Sequence, residues 1–172
     1  NVWVLRPKLF TDDRGHFLET FNAAEFKQAT GLSTTFVQDN QSRSGKGVLR
    51  GLHLQAPPHG QAKLVRVVSG AVLDVCVDLR ASSPTFGRHF SIRLDAREMA
   101  MLFIPEGLAH GFLSLEDDTV FLYKCSSYYQ PAAERTILWN DPDLGIDWGT
   151  IGPRMSPKDL EGLPFSARHW ER

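Results

Sequence analysis

The sequence has 172 residues, of which 42% are apolar and 23% charged, and these values are ordinary for one globular domain that buries its core without disulfides or metal. Its formal net charge of -1 excludes a global attraction to nucleic acid or to an anionic membrane, so any anion site has to be made locally. No apolar run reaches the length of a membrane span, and no leader pattern of charged and then apolar residues opens the sequence.

Short strands and one helix are predicted in the first quarter of the chain. Residues 2–5 are of β type, and residues 9–21 read as strand, turn, strand, with Asp-Asp-Arg-Gly at the turn. Asn22 is a plausible N-cap for a helix that ends at Gly31. Residues 34–42 begin as β type and become polar, and residues 42–47 are predicted to form a loop.

A basic segment at residues 47–63 reads as strand, turn, strand around Pro57-Pro58. Arg50 and His53 precede the reversal and Lys63 follows it, so a hairpin would bring all three side chains to one pocket mouth. An arginine, an imidazole and an ammonium group suit chemistry beside a carbonyl. The alternative is a basic hairpin with no such role, because charged residues are common on strand edges.

The later strands recur every eight to twelve residues, which predicts an all-β sandwich or barrel. In residues 71–80 the apolar side chains alternate with polar ones, so one face is expected in the core. Residues 112–115 and 119–125 are predicted to form a further hairpin. From about residue 128 to 172 the chain reads as a flank or lid on this core, with one short helix that begins at Ser156.

The cysteines and histidines limit the chemistry that the sequence allows. Cys76 and Cys125 lie in apolar runs and are predicted to be buried free thiols, which fits a reducing cytoplasm. A metal site in a β-barrel usually takes two ligands at i and i+2, and His53 lacks this second ligand. No nucleophile elbow, phosphate loop or dinucleotide fingerprint is present.

Acid–base chemistry remains, with His53 as the leading base because an unperturbed histidine has a pKa of about 6.5. Tyr123 alternates with its neighbours and could direct its hydroxyl inward as an acid; its alternative role is a core aromatic with one hydrogen bond. The alternative for His110 is a turn histidine bonded to the backbone.

An ordered set of segments closely resembles the dTDP-4-dehydrorhamnose 3,5-epimerase family over nearly the whole chain. The most specific of these segments are Phe10-Thr-Asp-Asp-Arg-Gly-His-Phe-Leu-Glu19, Gly47-Val-Leu-Arg-Gly-Leu-His53, Ile104-Pro-Glu-Gly-Leu-Ala-His-Gly-Phe112 and Asp141-Pro-Asp-Leu-Gly-Ile-Asp-Trp148. The resemblance implies a cupin-type jelly roll with a few short flanking helices, a homodimer with swapped strands, and a reaction that uses neither metal nor another cofactor.

The resemblance also implies roles for individual residues. His53 matches the general base, Asp159 its paired carboxylate and Tyr123 the proton donor on the opposite face of the sugar ring. Lys63 matches a group beside the sugar carbonyl. Substrate-binding positions are matched by Arg14, Glu19, Gln38, Asn40, Arg50, Lys63, His110, Tyr129, Glu134 and Lys158. Without the resemblance, Asp159 would be interpreted as an acidic residue at a helix start.

Three functions follow from this resemblance. The first is an isomerase that inverts C3 and C5 of dTDP-4-dehydro-6-deoxyglucose in dTDP-L-rhamnose synthesis, with a dTDP-4-keto-6-deoxyhexose as its substrate. The second is a related enzyme that inverts only C3 or only C5, which has the same His, Lys and Tyr. The third is a non-catalytic cupin module that binds a sugar nucleotide. A homodimer is expected because the strand at residues 2–5 has little to pair with in a minimal jelly roll.

Overall fold

The computed structural model describes residues 1–168 and 170, and its regular structure is mostly antiparallel β-strand. The strands are β1 (Trp3–Leu5), β2 (Leu9–Asp12), β3 (Gly15–Leu18), β4 (Gln38–Ser44), β5 (Leu49–Gln55), β6 (Lys63–Ser69), β7 (Ala71–Asp78), β8 (His89–Asp95), β9 (Met101–Ile104), β10 (Leu108–Ser114), β11 (Thr119–Cys125) and β12 (Glu134–Thr136). The helices are α1 (Ala23–Thr30) and α2 (Pro157–Leu160), with single 3-10 turns at Pro131–Ala133 and Phe165–Ala167. The expected all-β class with short helices is confirmed.

Two five-stranded sheets face each other, and a separate hairpin is formed by β2 and β3. The first sheet has the order β1-β9-β6-β11-β4, and the second has the order β12-β5-β10-β7-β8. Apolar side chains from both sheets form the core between them, such as Val65 and Phe121 of the first sheet and Val72 and Phe112 of the second. The two sheets can therefore present side chains to one shared interior from opposite sides.

The predicted pairing of neighbouring strands is wrong in two places. β5 and β6 lie in different sheets, so residues 47–63 do not form a hairpin, and β5 pairs with β10 and β12 instead. The chain likewise crosses between sheets from β10 to β11, although a hairpin was expected there. Alternation along one strand reports which side chains are buried but not which strand lies beside it, so local patterns could not separate a hairpin from a crossover.

Burial of β7 also differs from the expected single core face. Its apolar side chains, including Val75 and Val77, pack with Ile137 and Trp148 of the C-terminal flank, on the outside of the second sheet. Its other face is buried in the interior, where Asp74 is fully enclosed. The flank is thus more than a lid, since it forms a second core and adds strand β12 to the sheet.

The ends of the chain contain both confirmed and corrected predictions. Helix α1 is capped as expected, because Asn22 Oδ1 accepts a hydrogen bond from Ala24 N at 2.9 Å and Gly31 has a φ of 75°. The first strand is not unpaired, since β1 pairs with β9 of its own sheet. Strand β4 is also displaced from its expected place: it covers the polar residues 38–44 rather than beginning near residue 34.

Buried free thiols were expected for both cysteines, and this is confirmed for Cys76 and Cys125. Neither α1 nor α2 is long and apolar enough to cross a membrane, and no other helix in the described residues is.

Candidate active site

A cavity of about 610 Å³ lies between the two sheets and is lined by residues of both sheets and of the C-terminal flank. It is lined by most of the residues singled out from the sequence, namely Gln38, Asn40, Arg50, His53, Lys63, His110, Tyr123, Tyr129, Glu134, Lys158 and Asp159. The first sheet contributes Lys63 and Tyr123, and the second contributes His53 and His110. The crossover from β5 to β6, rather than a hairpin, puts His53 and Lys63 on opposing walls.

His53 is oriented by a carboxylate that is 106 residues away in the sequence. Its Nε2 lies 2.5 Å from Asp159 Oδ1, and the carboxylate is buried. Helix α2 holds Asp159 in place, since Ser156 caps it and its Oγ accepts a hydrogen bond from Asp159 N at 3.2 Å. This confirms the short helix that was predicted to begin at Ser156.

The Asp159 carboxylate remains ionised at neutral pH and fixes the tautomer of His53. Burial alone would raise the pKa of Asp159, but the hydrogen bond and the charge of His53, together with Ser156, outweigh this effect and lower the pKa below 3.8. An ionised carboxylate requires a proton on Nε2, so the neutral ring carries its lone pair on Nδ1. Nδ1 is then the atom that can take a proton.

Lys63 brings an ammonium group into the cavity without a fixed partner. No hydrogen bond or salt bridge from its Nζ is made within residues 1–168 and 170. Burial lowers the pKa of Lys63, while the more distant carboxylates of Asp74 and Glu134 act in the opposite direction. A half-buried donor with free hydrogen-bonding capacity is suited to stabilise negative charge on a ligand oxygen.

The hydroxyl of Tyr123 is a second uncommitted group on the same wall. Strand β11 places Tyr123 in register with Asn40 on one side and Val65 on the other. Burial raises the pKa of Tyr123, and the nearby Arg50 only partly counters the increase. The phenol therefore keeps its proton at neutral pH, as a proton donor must.

His110 is a strand residue, and the interpretation as a turn histidine is wrong. It lies in β10 opposite His53, and its Nε2 is 2.9 Å from Oδ2 of the fully buried Asp74. Asp74 was not among the site residues predicted from the sequence. The signal that could have found it is a carboxylate in the middle of a strand whose remaining side chains are strongly apolar, because such a group needs a buried partner.

The cavity mouth is a network of charged and polar groups. Glu134 Oε2 accepts hydrogen bonds from Lys158 Nζ at 2.5 Å and from the Tyr129 hydroxyl at 2.6 Å. Burial alone would raise the pKa of Glu134, but these two donors outweigh it and the pKa is lowered. Arg50 and Lys158 are exposed there, so the mouth offers two cations to an anionic ligand.

Arg50 and His53 are three residues apart, and regular alternation would direct them to opposite faces of β5. Both line the cavity because the register between β5 and β10 shifts between His110 and Phe112. The strands approach closely at this shift. A Cβ on Gly51 would lie 2.5 Å from Gly111 Cα, and Gly51 has a φ of 132°. Gly51 and Gly111 therefore permit the register shift that brings Arg50 and His53 to the same cavity.

Substitution of Gly111 by alanine should disturb the site and the fold together. The new Cβ would lie 2.8 Å from Arg50 O and 3.1 Å from Gly51 Cα, both backbone atoms, so the strands must separate. We expect the free energy of unfolding to fall by about 2 kcal/mol, which urea denaturation would measure. Gly152→Ala is the matched control, because nothing lies within 4 Å of its added Cβ. Equal stability of both variants would contradict this role.

Two predicted site residues, Arg14 and Glu19, do not line this cavity. Arg14 lies at the tip of the β2–β3 hairpin, where its guanidinium is highly exposed and pairs with Asp12. Glu19 lines a separate hollow of about 930 Å³ beneath the hairpin. Within one chain, these residues are therefore apart from His53 and Tyr123.

The described residues contain no group of three or more His, Cys, Asp or Glu side chains placed to hold a metal ion. What the cavity offers is a base backed by a carboxylate, a protonated phenol, an uncommitted ammonium and cations at the mouth. This set can remove a proton from carbon beside a carbonyl, stabilise the resulting oxyanion and return a proton.

Comparisons with known proteins agree with this geometry. A family model described as dTDP-4-dehydrorhamnose 3,5-epimerase matches residues 1–167. The chain is 49% identical over 165 residues to the dTDP-4-dehydrorhamnose 3,5-epimerase of Shigella flexneri, and the match covers 96% of this chain and 91% of that relative.

Solved structures resemble the whole fold. One is the dTDP-6-deoxy-D-glucose-3,5-epimerase of Legionella pneumophila in complex with dTDP-4-keto-L-rhamnose, at a TM-score of 0.92 and 43% identity over 96% of this chain and 88% of that one. Another is a 3'-monoepimerase of Streptomyces bikiniensis in complex with dTDP-quinovose. Its TM-score is 0.90, its sequence identity is 41%, and the match covers 96% of this chain and 84% of that one. With the two facing sheets, these likenesses confirm the expected cupin-type jelly roll.

Proposed function

Since this chain belongs to the dTDP-4-dehydrorhamnose 3,5-epimerase family, we propose that it converts dTDP-4-dehydro-6-deoxy-α-D-glucose to dTDP-4-dehydro-β-L-rhamnose. The chain is therefore an isomerase of the epimerase class, and its substrate is a dTDP-4-keto-6-deoxyhexose. The cavity with His53, Asp159, Lys63 and Tyr123 on its walls is the observation that carries this proposal.

The reaction depends on the C4 ketone of the sugar. Protons on C3 and C5 are acidic because each of these carbons is adjacent to the ketone, and removal of either proton gives an enolate. In water the enolate is too high in free energy for fast turnover. Lys63 lowers it by donating to the developing oxyanion, and one such donor is typically worth about 3 kcal/mol. His110, held by Asp74, lies on the opposing wall and belongs to the same substrate pocket.

Inversion requires two groups on opposite faces of the ring. His53 takes the proton on Nδ1, and Asp159 stabilises the imidazolium that forms. Tyr123 delivers a proton to the other face from the opposing sheet. A single base could only return the proton to the face that it left.

Binding of the nucleotide supplies orientation. Arg50 and Lys158 at the mouth suit the diphosphate, and the Tyr129–Glu134 pair with Gln38 and Asn40 forms the remaining wall for the nucleoside and sugar. Contacts far from the reacting carbons can thereby hold the ring between base and acid.

The experiment that tests this function is NMR of dTDP-4-dehydro-6-deoxyglucose incubated with the protein in D2O. We expect deuterium at both C3 and C5 and formation of the L-rhamno product. Absence of both exchange and product would overturn the proposal, since it would leave the cavity without its chemistry.

A second candidate is a mono-epimerase, and the similarity to the Streptomyces 3'-monoepimerase favours keeping it. The same base, acid and ammonium would serve one carbon, with the outcome decided by ring placement relative to Tyr123. In the same NMR experiment, deuterium at only one carbon with inversion there would select this candidate over the double epimerase.

We also propose a homodimer. The first strand gives no reason for one, since it pairs with β9, and the proposal depends instead on the β2–β3 hairpin. The β2–β3 hairpin stands apart from both sheets and exposes 52% of Phe10 and 67% of Phe17. Exposed aromatic side chains on a projecting hairpin are suited to a partner's surface. A swapped hairpin would carry Arg14 and Glu19 to the partner's cavity, where they would complete the nucleotide site.

Substitution of Phe17 by serine should weaken this dimer. Removal of an aromatic contact from an interface typically costs 10-fold or more in affinity, at about 1.4 kcal/mol per factor of ten. Light scattering at micromolar concentration should show a dimer for the unchanged protein and a lower mass for the variant. Phe90→Ser is the control, because Phe90 is an exposed aromatic residue on β8 of the second five-stranded sheet and not on the hairpin. A monomeric unchanged protein would contradict the dimer.

We further propose that residues 1–172 act as one jelly-roll domain that works in the cytoplasm. The flank from about residue 128 shares a core with the second sheet through Ile137 and Trp148, so the two parts are expected to fold together. The two free thiols fit a reducing compartment.

A further inference from the structure

One buried hydroxyl in the cavity has no part in the reaction proposed above. Ser42 lies on β4 and lines the cavity, and its Oγ is buried without a hydrogen-bond partner within the described residues. A buried hydroxyl without a partner is destabilising, so native proteins seldom keep one without a reason. The partner of this hydroxyl is therefore expected from outside the chain, and the side chain must rotate toward the cavity to meet it, because Oγ is closed to solvent in the free protein.

The neighbours of Ser42 on the same face of β4 already use their polar groups. Gln38 Nε2 donates to Asn40 Oδ1 at 3.0 Å, and Ser44 Oγ accepts a hydrogen bond from Arg50 Nε at 3.1 Å. Ser42 lies between Asn40 and Ser44 in this row of inward residues. Its free hydroxyl is thus an exception among the inward polar residues of β4.

The depth of Ser42 indicates which part of a sugar nucleotide reaches it. Ser42 is in register with Phe121, whose ring stacks on Phe112 at 4.3 Å in the core. Arg50, whose Nε donates to Ser44 Oγ, and Lys158 are exposed at the mouth, where a diphosphate can bind while it remains partly hydrated. The uncharged sugar is the part that extends inward from this point.

Ser42 is also close to the proton donor along the strand pair. Asn40 is in register with Tyr123, and Ser42 is in register with Phe121, the next inward residue of β11. A ligand group that contacts Ser42 Oγ therefore lies one step along the wall from the Tyr123 ring. A hydrogen bond at this place would fix the rotation of the sugar in its plane.

We propose that Ser42 Oγ hydrogen-bonds an oxygen substituent of the hexose ring and positions the ring beneath Tyr123. This inference rests on the proposed function for the identity of the ligand. Ser42 transfers no proton to carbon; it restricts the orientations from which the proton transfer can occur.

The Ser42→Ala variant tests this role through binding, turnover and stability together. We expect kcat/KM for the 4-keto sugar nucleotide to fall about three- to tenfold, as for loss of one uncharged hydrogen bond. Calorimetry should show weaker binding of dTDP-glucose, a sugar nucleotide without the ketone, and unchanged binding of dTDP. The melting temperature should stay the same or rise, because the hydroxyl has no partner in the free protein.

Ser91→Ala is the matched control, since Ser91 is an exposed serine on β8. Unchanged kcat/KM and unchanged dTDP-glucose affinity in Ser42→Ala would overturn the proposal. A bound water would then be the hydrogen-bond partner of Ser42 Oγ. Equal weakening of dTDP and dTDP-glucose would overturn the sugar contact in favour of a phosphate contact. A lower melting temperature with unchanged dTDP-glucose affinity would show a purely structural role.

The failure of the proposed function is recognised separately in the unchanged protein. An unchanged protein that binds dTDP-glucose but does not turn over the ketone would refute epimerisation. The Ser42 contact would still be supported if Ser42→Ala weakened dTDP-glucose binding and left dTDP binding unaltered.

Discussion

Substitution of His53 by asparagine should lower kcat for epimerisation by about 10³-fold, within the range of 10² to 10⁴ that a positioned general base contributes. Asparagine preserves a polar amide near Asp159 but has no lone pair that can hold a proton at neutral pH. Deuterium incorporation at C3 and C5 should fall in parallel with product formation, because both require removal of the carbon-bound proton. Proton NMR in D2O measures the two rates in one sample.

His59→Asn is the matched control for this substitution. His59 is exposed in the turn after β5, and the contact it makes to Gln55 uses its backbone carbonyl, so the side chain can be changed without loss of that bond. The control should retain the full rate. Full exchange and epimerisation in His53→Asn would refute the assignment of the base and would require another group to remove the proton.

Substitution of Tyr123 by phenylalanine should separate exchange from inversion. We expect product formation to fall by about 10²- to 10³-fold, since a proton can no longer be delivered to the far face of the ring. His53 would still remove and return a proton on its own face, so substrate should take up deuterium without a change of configuration. NMR of recovered substrate distinguishes this outcome from a general loss of activity.

Tyr128→Phe is the matched control for this substitution. Tyr128 is exposed, and it accepts a hydrogen bond from Gln55 with its backbone carbonyl, which the substitution leaves in place. The stability of Tyr123→Phe should be close to that of the unchanged protein, since the Tyr123 hydroxyl has no hydrogen bond within residues 1–168 and 170. Retained inversion at the full rate would exclude Tyr123 as the donor. Parallel loss of exchange and inversion would also contradict the two-face mechanism, since it would give Tyr123 a part in proton removal.

The positions of helix α1 and of several strands could be predicted from short segments of sequence. Helix α1 begins after Asn22 and ends at Gly31 because a side-chain cap and a left-handed glycine act within a few residues of the chain. Strands β5 to β9 and β11 were likewise placed closely, since alternation of apolar side chains is a local property, whereas β10 begins at Leu108 rather than near residue 112.

The site residues were found in a different way. Residue types and spacing alone indicated acid–base chemistry around His53, but they left Tyr123 and His110 with alternative roles. The ordered resemblance to a family supplied Asp159, which spacing could not have connected to His53 across 106 residues. Neither route found Asp74 or Ser42. The apolar neighbours of Asp74 indicate a buried carboxylate but not which residue pairs with it, and Ser42 lies in a polar segment that carries no local sign of a cavity.

The sequence by itself determined where most strands and the capped helix lie, because these depend on hydrogen bonds and side-chain alternation among near neighbours. Only the tertiary structure decided that β5 pairs with β10 rather than β6, that Asp74 supports His110, and that Arg50 and His53 share one cavity. The physical reason is that strand partners and cavity walls are chosen by burial and close packing between distant segments. The close approach of Gly51 to Gly111 is one such choice, and it accompanies the register shift that lets Arg50 and His53 line one cavity.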